Sequence, residues 1–123
     1  MNRIKISEAE MELLQLLWDR SPLTAAQLAE FAPEKRGWQL ATVKTLLSRL
    51  VAKGAVRAEL NGRRFLYSPA IERDALAVEQ AGRLVDRMFG GRISPLVAQL
   101  AEQRDLSPED LDELEALVRS LRS

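Results

Sequence analysis

"GWQLATVKTLLSRLVAKGAV", residues 37–56, sets Leu40, Val43, Leu46, Leu47, Leu50 and Val51 at helical intervals, while Ala41, Thr45, Ser48, Arg49 and Ala52 fall on the opposite side. Counted at 100° per residue, the apolar six share an arc of roughly 140° and are expected to face a core. Thr42 and Lys44 sit at the margins of the other flank. That flank is slim and cationic. A solvated helix face is usually filled with Glu, Lys, Gln or Arg, because hydroxyl side chains are mediocre helix formers. Gly54 stands where a C-terminal cap is expected.

Two helices are expected upstream. Ser7-Glu8-Ala9-Glu10 has the capping-box form and precedes Met11, Leu13, Leu14, Leu17 and Trp18, predicting a helix from about Ser7 to Asp19. Thr24-Ala25-Ala26-Gln27 repeats the box and opens a short helix through Leu28 and Phe31 that stops before Pro33. Downstream of Gly54 the period changes to two. Ala55–Leu60 and Arg63–Ser68, joined by Asn61-Gly62, predict a type I′ hairpin with Val56 opposite Tyr67, Ala58 opposite Phe65 and Glu59 opposite Arg64.

Helix, helix, helix, hairpin is the order of a winged helix-turn-helix. Its third helix, over residues 38–53, is the element expected in a DNA major groove. Such a groove is about 12 Å wide and a helix with side chains about 10–12 Å across, so a lean leading face eases entry. Thr42, Thr45 and Ser48 offer hydroxyls to phosphates or base edges, and Lys44 and Arg49 offer charge. Arg63 and Arg64, at the hairpin tip, are expected along the backbone or a minor groove. Singly, each cation is read as well as a solubilising charge or an edge-strand gatekeeper; the hydroxyl-rich face favours nucleic acid. Trp18 and Trp38 are expected in the core or at its edge, with Trp38 also near a phosphate.

The charge balance agrees. The chain of 123 residues is neutral overall, yet residues 1–69 hold 11 Lys+Arg against 7 Asp+Glu and residues 70–123 hold 7 against 11. Between Lys35 and Arg64 stand Lys35, Arg36, Lys44, Arg49, Lys53, Arg57, Arg63 and Arg64, with Glu59 the one acid. A polyanionic partner suits that bias, and a solvated basic face is the duller alternative. Cysteine and histidine are both absent, which removes thiol nucleophiles, soft-metal sites and imidazole catalysis. No metal or cofactor is expected. The acidic cluster Glu109, Asp110, Asp112, Glu113 and Glu115 lies in the first turns of a helix, where the helix dipole accounts for it; a hard-metal site there is the remaining catalytic reading. The run Met1-Asn2-Arg3-Ile4-Lys5 lacks the apolar stretch of a signal peptide and no window is long enough to span a membrane, so a cytoplasmic chain without membrane insertion is expected.

Beyond Pro69 three more helices are expected, at about Ile71–Phe89, Ser94–Arg104 and from Ser107-Pro108 onward, with Gly90-Gly91 between the first two. Their apolar stripes carry Val78, Val85 and Phe89, then Leu96 and Leu100, then Leu111, Leu114, Val118 and Leu121. These are read as a dimerisation surface, with packing back onto the winged helix as the alternative. A two-fold dimer doubles the phosphate contacts of a small domain and reads an inverted repeat with half-sites ~34–36 Å apart or a multiple of it. The expected organisation is a DNA-binding domain over residues 1–69 and a helical dimerisation domain over residues 70–123. A winged helix used for protein contacts alone is the rival function.

Four stretches give the chain a resemblance: "ISEAEMELLQLLW" (residues 6–18), "TVKTLLSRLVAKGAV" (42–56), "GRRFLYSP" (62–69) and "GGRISPLVAQLAEQRDLSPEDLDELEALV" (90–118). In this order they resemble the BlaI/MecI/CopY penicillinase-repressor family of winged-helix transcriptional repressors over nearly the whole chain. The resemblance implies a cytoplasmic homodimer that represses by occupying a palindromic promoter operator of double-stranded DNA. It implies Thr42, Lys44 and Thr45 near base edges, Ser48 and Arg49 on phosphates, and Arg63 and Arg64 in the wing. Relatives often carry a basic residue where this chain has Ala41. Antibiotic-responsive members are cut by a membrane sensor protease at an Asn-Phe bond in the penultimate helix; Gln99-Leu100 stand there in this chain, the candidate cleavage position. The cysteine cluster of the copper-responsive branch has no counterpart.

Overall fold

The computed structural model describes residues 5–123, so the leading Met1–Ile4 of the run read above for a signal peptide lie outside the described residues. The described order is α1 (Glu8–Arg20), α2 (Ala25–Phe31), a 3₁₀ turn (Glu34–Arg36), α3 (Leu40–Ala52), β1 (Val56–Asn61), β2 (Arg64–Pro69), α4 (Arg73–Phe89), α5 (Ile93–Gln103) and α6 (Pro108–Arg122). The fold class is the expected one, mainly helical with a small antiparallel hairpin. Both capping boxes form. Ser7 Oγ accepts from the Glu10 amide at 3.1 Å while Glu10 Oε1 accepts from the Ser7 amide at 2.8 Å, and Thr24 and Gln27 repeat the exchange at 3.1 and 2.9 Å. Each box satisfies two donors that a helix start would otherwise leave open. Ser107 caps α6 by accepting from the Asp110 amide, with Pro108 in its first turn.

α3 ends as its sequence requires. The Gly54 amide donates to the Val51 carbonyl and the Ala55 amide to the Leu50 carbonyl, a Schellman pair. Gly54 holds φ +80°, which an L side chain rarely adopts. The chain then enters β1 with Ala55 and Val56 already buried.

The hairpin forms, with its register moved by two residues from the expected one. Val56 pairs with Pro69, Ala58 with Tyr67, Glu59 with Leu66, Leu60 with Phe65 and Asn61 with Arg64, so the expected Glu59–Arg64 pairing is absent. The turn is centred on Gly62-Arg63 rather than Asn61-Gly62. A type I′ turn needs positive φ at both central residues; here Gly62 alone has it, at φ +66°, and it stands first, as a type II′ turn prefers. A shift of two preserves which side chains share a face. The segment before α2 also joins the wing, a pairing the sequence reading missed: the Leu23 amide donates to the Tyr67 carbonyl at 3.1 Å and the Tyr67 amide to the Leu23 carbonyl at 2.8 Å.

The chain forms two compact units, one ending at Leu76 and the other Ala77–Ser123. The first has a closed core of Leu13, Leu14 and Leu17 from α1, Leu28 from α2, Val43, Leu47 and Leu50 from α3, and Leu76 beyond the wing. Each buried leucine contributes about 1.5–3 kcal/mol relative to exposure. The apolar stripe expected at the start of α4 omits Leu76, which is the buried residue there, whereas Val78 is 72% exposed. Trp18 and Trp38 pack against the core edge, as expected, and Trp18 Nε1 donates to the Ile71 carbonyl at 3.0 Å. The second unit consists of the last part of α4 with α5 and α6, and neither α5 nor α6 has a buried residue. No helix among the described residues is long and apolar enough to cross a membrane.

Candidate nucleic-acid interface

α3 presents three flanks. Val43, Leu46, Leu47 and Leu50 are buried in the core. Leu40 and Val51, expected there too, are instead 42% and 39% exposed. They lie at one end of the apolar arc and share a flank with Lys44 and Ser48, all four within roughly 40° of the Lys44 direction at 100° per residue. That flank faces the wing. Leu40 and Lys44 line one groove between α3 and the hairpin with Arg63, Arg64, Phe65 and Tyr67; Ser48 and Val51 line a second with Ala58, Phe65 and Tyr67. The third flank carries Ala41, Thr42, Thr45, Arg49 and Ala52, all exposed.

Of the seven residues singled out for DNA, the fold therefore brings Lys44, Arg63 and Arg64 to one groove and Ser48 to the adjoining one. Thr42, Thr45 and Arg49 stand on the leading flank of the same helix, away from both. Thr45 differs from its neighbours: its hydroxyl donates to the Ala41 carbonyl at 3.0 Å, leaving lone pairs and a methyl group for any outside partner.

Not all the basic residues between Lys35 and Arg64 are available to a polyanion. Arg36 Nε is 2.7 Å from Glu12 Oε2, and its guanidinium lies 5.3 Å from the Trp38 ring centre. Lys53 Nζ donates to Glu10 Oε1 and to the Lys5 carbonyl, both at 2.6 Å. Among the described residues Lys35, Lys44, Arg49, Arg57, Arg63 and Arg64 form no ion pair. Glu10 is 1% exposed. Burial pushes its carboxyl pKa up, but the Lys53 ammonium and the Ser7 amide and hydroxyl outweigh that, so the group lies below the ordinary carboxylate value. The pair pins the C-terminal end of α3 to α1. Its sequence signal is the spacing of Glu10 to Leu13, Leu14 and Leu17, which puts the carboxylate on the buried stripe; reading Glu10 as a cap partner alone hides this.

In the second unit Leu100, Leu111, Leu114, Val118 and Leu121 are 40–75% exposed, Leu96 and Phe89 are half-buried, and Val85 is buried within the chain. Ile93, Val97 and Leu117 add to the exposed apolar set. Gln99 and Leu100 are exposed on α5, in helical backbone. The acidic cluster sits in α6, and no group of acids placed to hold a metal occurs among the described residues.

Known proteins resemble this arrangement. The profile of the penicillinase repressor family matches residues 6–120. The chain is 28% identical over 110 residues to a penicillinase repressor of Bacillus licheniformis, covering 89% of this chain and 86% of that one. It is 25% identical over 114 residues to the methicillin resistance regulatory protein MecI of Staphylococcus aureus, covering 93% of each. Among solved structures, the monomeric form of Bacillus licheniformis BlaI in complex with the blaP half-operator superposes with a TM-score of 0.51 at 32% identity, covering 60% of this chain and 92% of that one.

Proposed function

The chain belongs to the penicillinase repressor family, and from that premise we propose that it is a DNA-binding transcriptional repressor that occupies an inverted-repeat promoter operator as a homodimer. The observation that carries the reading is the gathering of Lys44, Arg63 and Arg64 beside the exposed hydroxyl flank of α3. α3 enters the major groove with Thr42, Lys44 and Thr45 at base edges. Ser48 and Arg49 hold phosphates, and the wing arginines follow the backbone. Thr45, with its proton held by Ala41, accepts from a base amino group or packs its methyl on thymine. The BlaI complex with its half-operator supports this placement by analogy.

In this reading residues 1–69 carry the DNA-binding elements, their core completed by Ile71 and Leu76, and residues 70–123 supply dimerisation through the exposed stripes of α5 and α6. The repressor works in the cytoplasm and catalyses nothing. Release by a membrane sensor protease at Gln99-Leu100 requires α5 to unwind locally first, because a helical bond does not fit an extended protease cleft. The test begins by selecting bound fragments of genomic DNA at a stated salt concentration, since affinity for DNA falls steeply with salt. Lys44→Glu and Arg49→Glu are then expected to abolish retention of the selected site while circular dichroism and oligomer mass stay as in the parent chain. Wild-type retention by both variants overturns the assignment of α3.

A further inference from the structure

The groove between α3 and the wing has two chemistries. Its volume is about 230 Å³. Lys44, Arg63 and Arg64 bring three positive charges to it, with no ion-pair partner among the described residues. Its remaining wall is mostly apolar, formed by Leu40, Phe65, Tyr67, Ala25 and Ala26 with Thr24 at the start of α2: Leu40 is 42% exposed, Phe65 is 49% exposed, and the Phe65 and Tyr67 rings stand 6.4 Å apart at 45°. A DNA phosphate answers the charges but offers nothing to the leucine and the rings. A planar aromatic acid answers both, since guanidinium groups bind carboxylates bidentately and an apolar wall gains from covering a ring. The volume is below the ~300–1,000 Å³ of sites for drug-sized ligands, which limits the occupant to one or two rings.

We infer that this groove is an effector site for a small aromatic carboxylate, and that its occupancy excludes DNA by taking the cations that DNA requires. The exclusion rests on the repressor reading above; the binding does not. Because the same charges serve both ligands, each lowers the affinity of the other by the same factor. A repressor built this way can be released without being cut.

The probe is 2-naphthoate, titrated calorimetrically into the full chain without DNA, with 2-naphthamide and acetate as controls at matched ionic strength. Only 2-naphthoate is expected to bind. At ten times its dissociation constant it should reduce apparent affinity about tenfold for a half-site and about a hundredfold for the full operator, which needs both grooves of the dimer free. Leu40→Gln, a helix-compatible change at an exposed position, should weaken naphthoate binding about tenfold or more with helix content unchanged. Absence of naphthoate binding, equal effects of acetate, undiminished affinity in Leu40→Gln, or an operator affinity untouched by a filled groove would each overturn the inference. Because the first titration contains no DNA, a chain that binds naphthoate but no operator counts against the repressor reading and leaves the site standing.

Discussion

The two compact units bury their leucines to very different extents. In the first, Leu13, Leu14, Leu17, Leu28, Leu47 and Leu50 are all 0% exposed; in the second, Leu100, Leu111, Leu114, Leu117 and Leu121 are 46%, 48%, 40%, 52% and 75% exposed. The sequence patterns are alike, since both regions carry apolar residues at three- and four-residue steps with polar residues between. The difference is cover. Three helices and a hairpin crossing one another can close a core within one chain, whereas a helix stripe with nothing over it leaves its apolar surface in water at about 25 cal/mol per Å². In the proposed homodimer a unit of the second kind is completed by association, and its stability is then expected to depend on protomer concentration while that of the first is not.

The sharpest way to break this contrast is Leu114→Asp. A carboxylate on the uncovered face of α6 is expected to halve the mass measured by sedimentation and to lower affinity for the full inverted repeat by about 10²–10⁴-fold, the gain from linking two half-sites. Half-site binding by the winged unit should persist. An unchanged mass removes α6 from the dimer surface. Next in size is Leu47→Ala, within the closed core. It should destabilise the first unit by about 2–5 kcal/mol in urea melts, independently of protein concentration; a concentration-dependent loss would show that the two regions share one core after all.

The smallest expected effect is Lys53→Ala, which leaves the Glu10 carboxylate buried with only the Ser7 contacts, at a cost of about 1–3 kcal/mol. The same pair sets a pH dependence. Because the folded Glu10 pKa is lowered, the stability it contributes is present above the unfolded carboxyl value of about 4.3 and is lost as pH falls through the folded value. Lys53→Ala should therefore flatten the acid limb of the stability curve. A limb of unchanged slope would assign acid unfolding to other carboxylates.

Much of the candidate interface was legible because α3 has a single buried side and the wing follows at once. Thr42, Thr45, Ser48 and Arg49 had to be exposed once Val43, Leu46, Leu47 and Leu50 were buried. Less legible were the charges. Arg36 and Lys53 look in the sequence like Lys44 and Arg64, but acids contributed by α1 pair with the first two and not with the second two. Nothing near position 36 or 53 in the chain announces Glu12 or Glu10, because the contact is made across the fold.

By itself the sequence determined the elements: the capping boxes at Ser7 and Thr24, the glycine stop at Gly54 and the change of period at the hairpin each follow from chemistry acting over a few neighbouring residues. Tertiary structure alone decided which apolar residues are core and which are groove. Leu40 and Val51 belong to the same sequence arc as Leu47, yet they line the cleft beside the wing, whose position depends on the pairing of Leu23 with Tyr67 and on a turn centred at Gly62-Arg63. Local periodicity specifies a direction around a helix axis; what lies in that direction depends on residues far away in the chain.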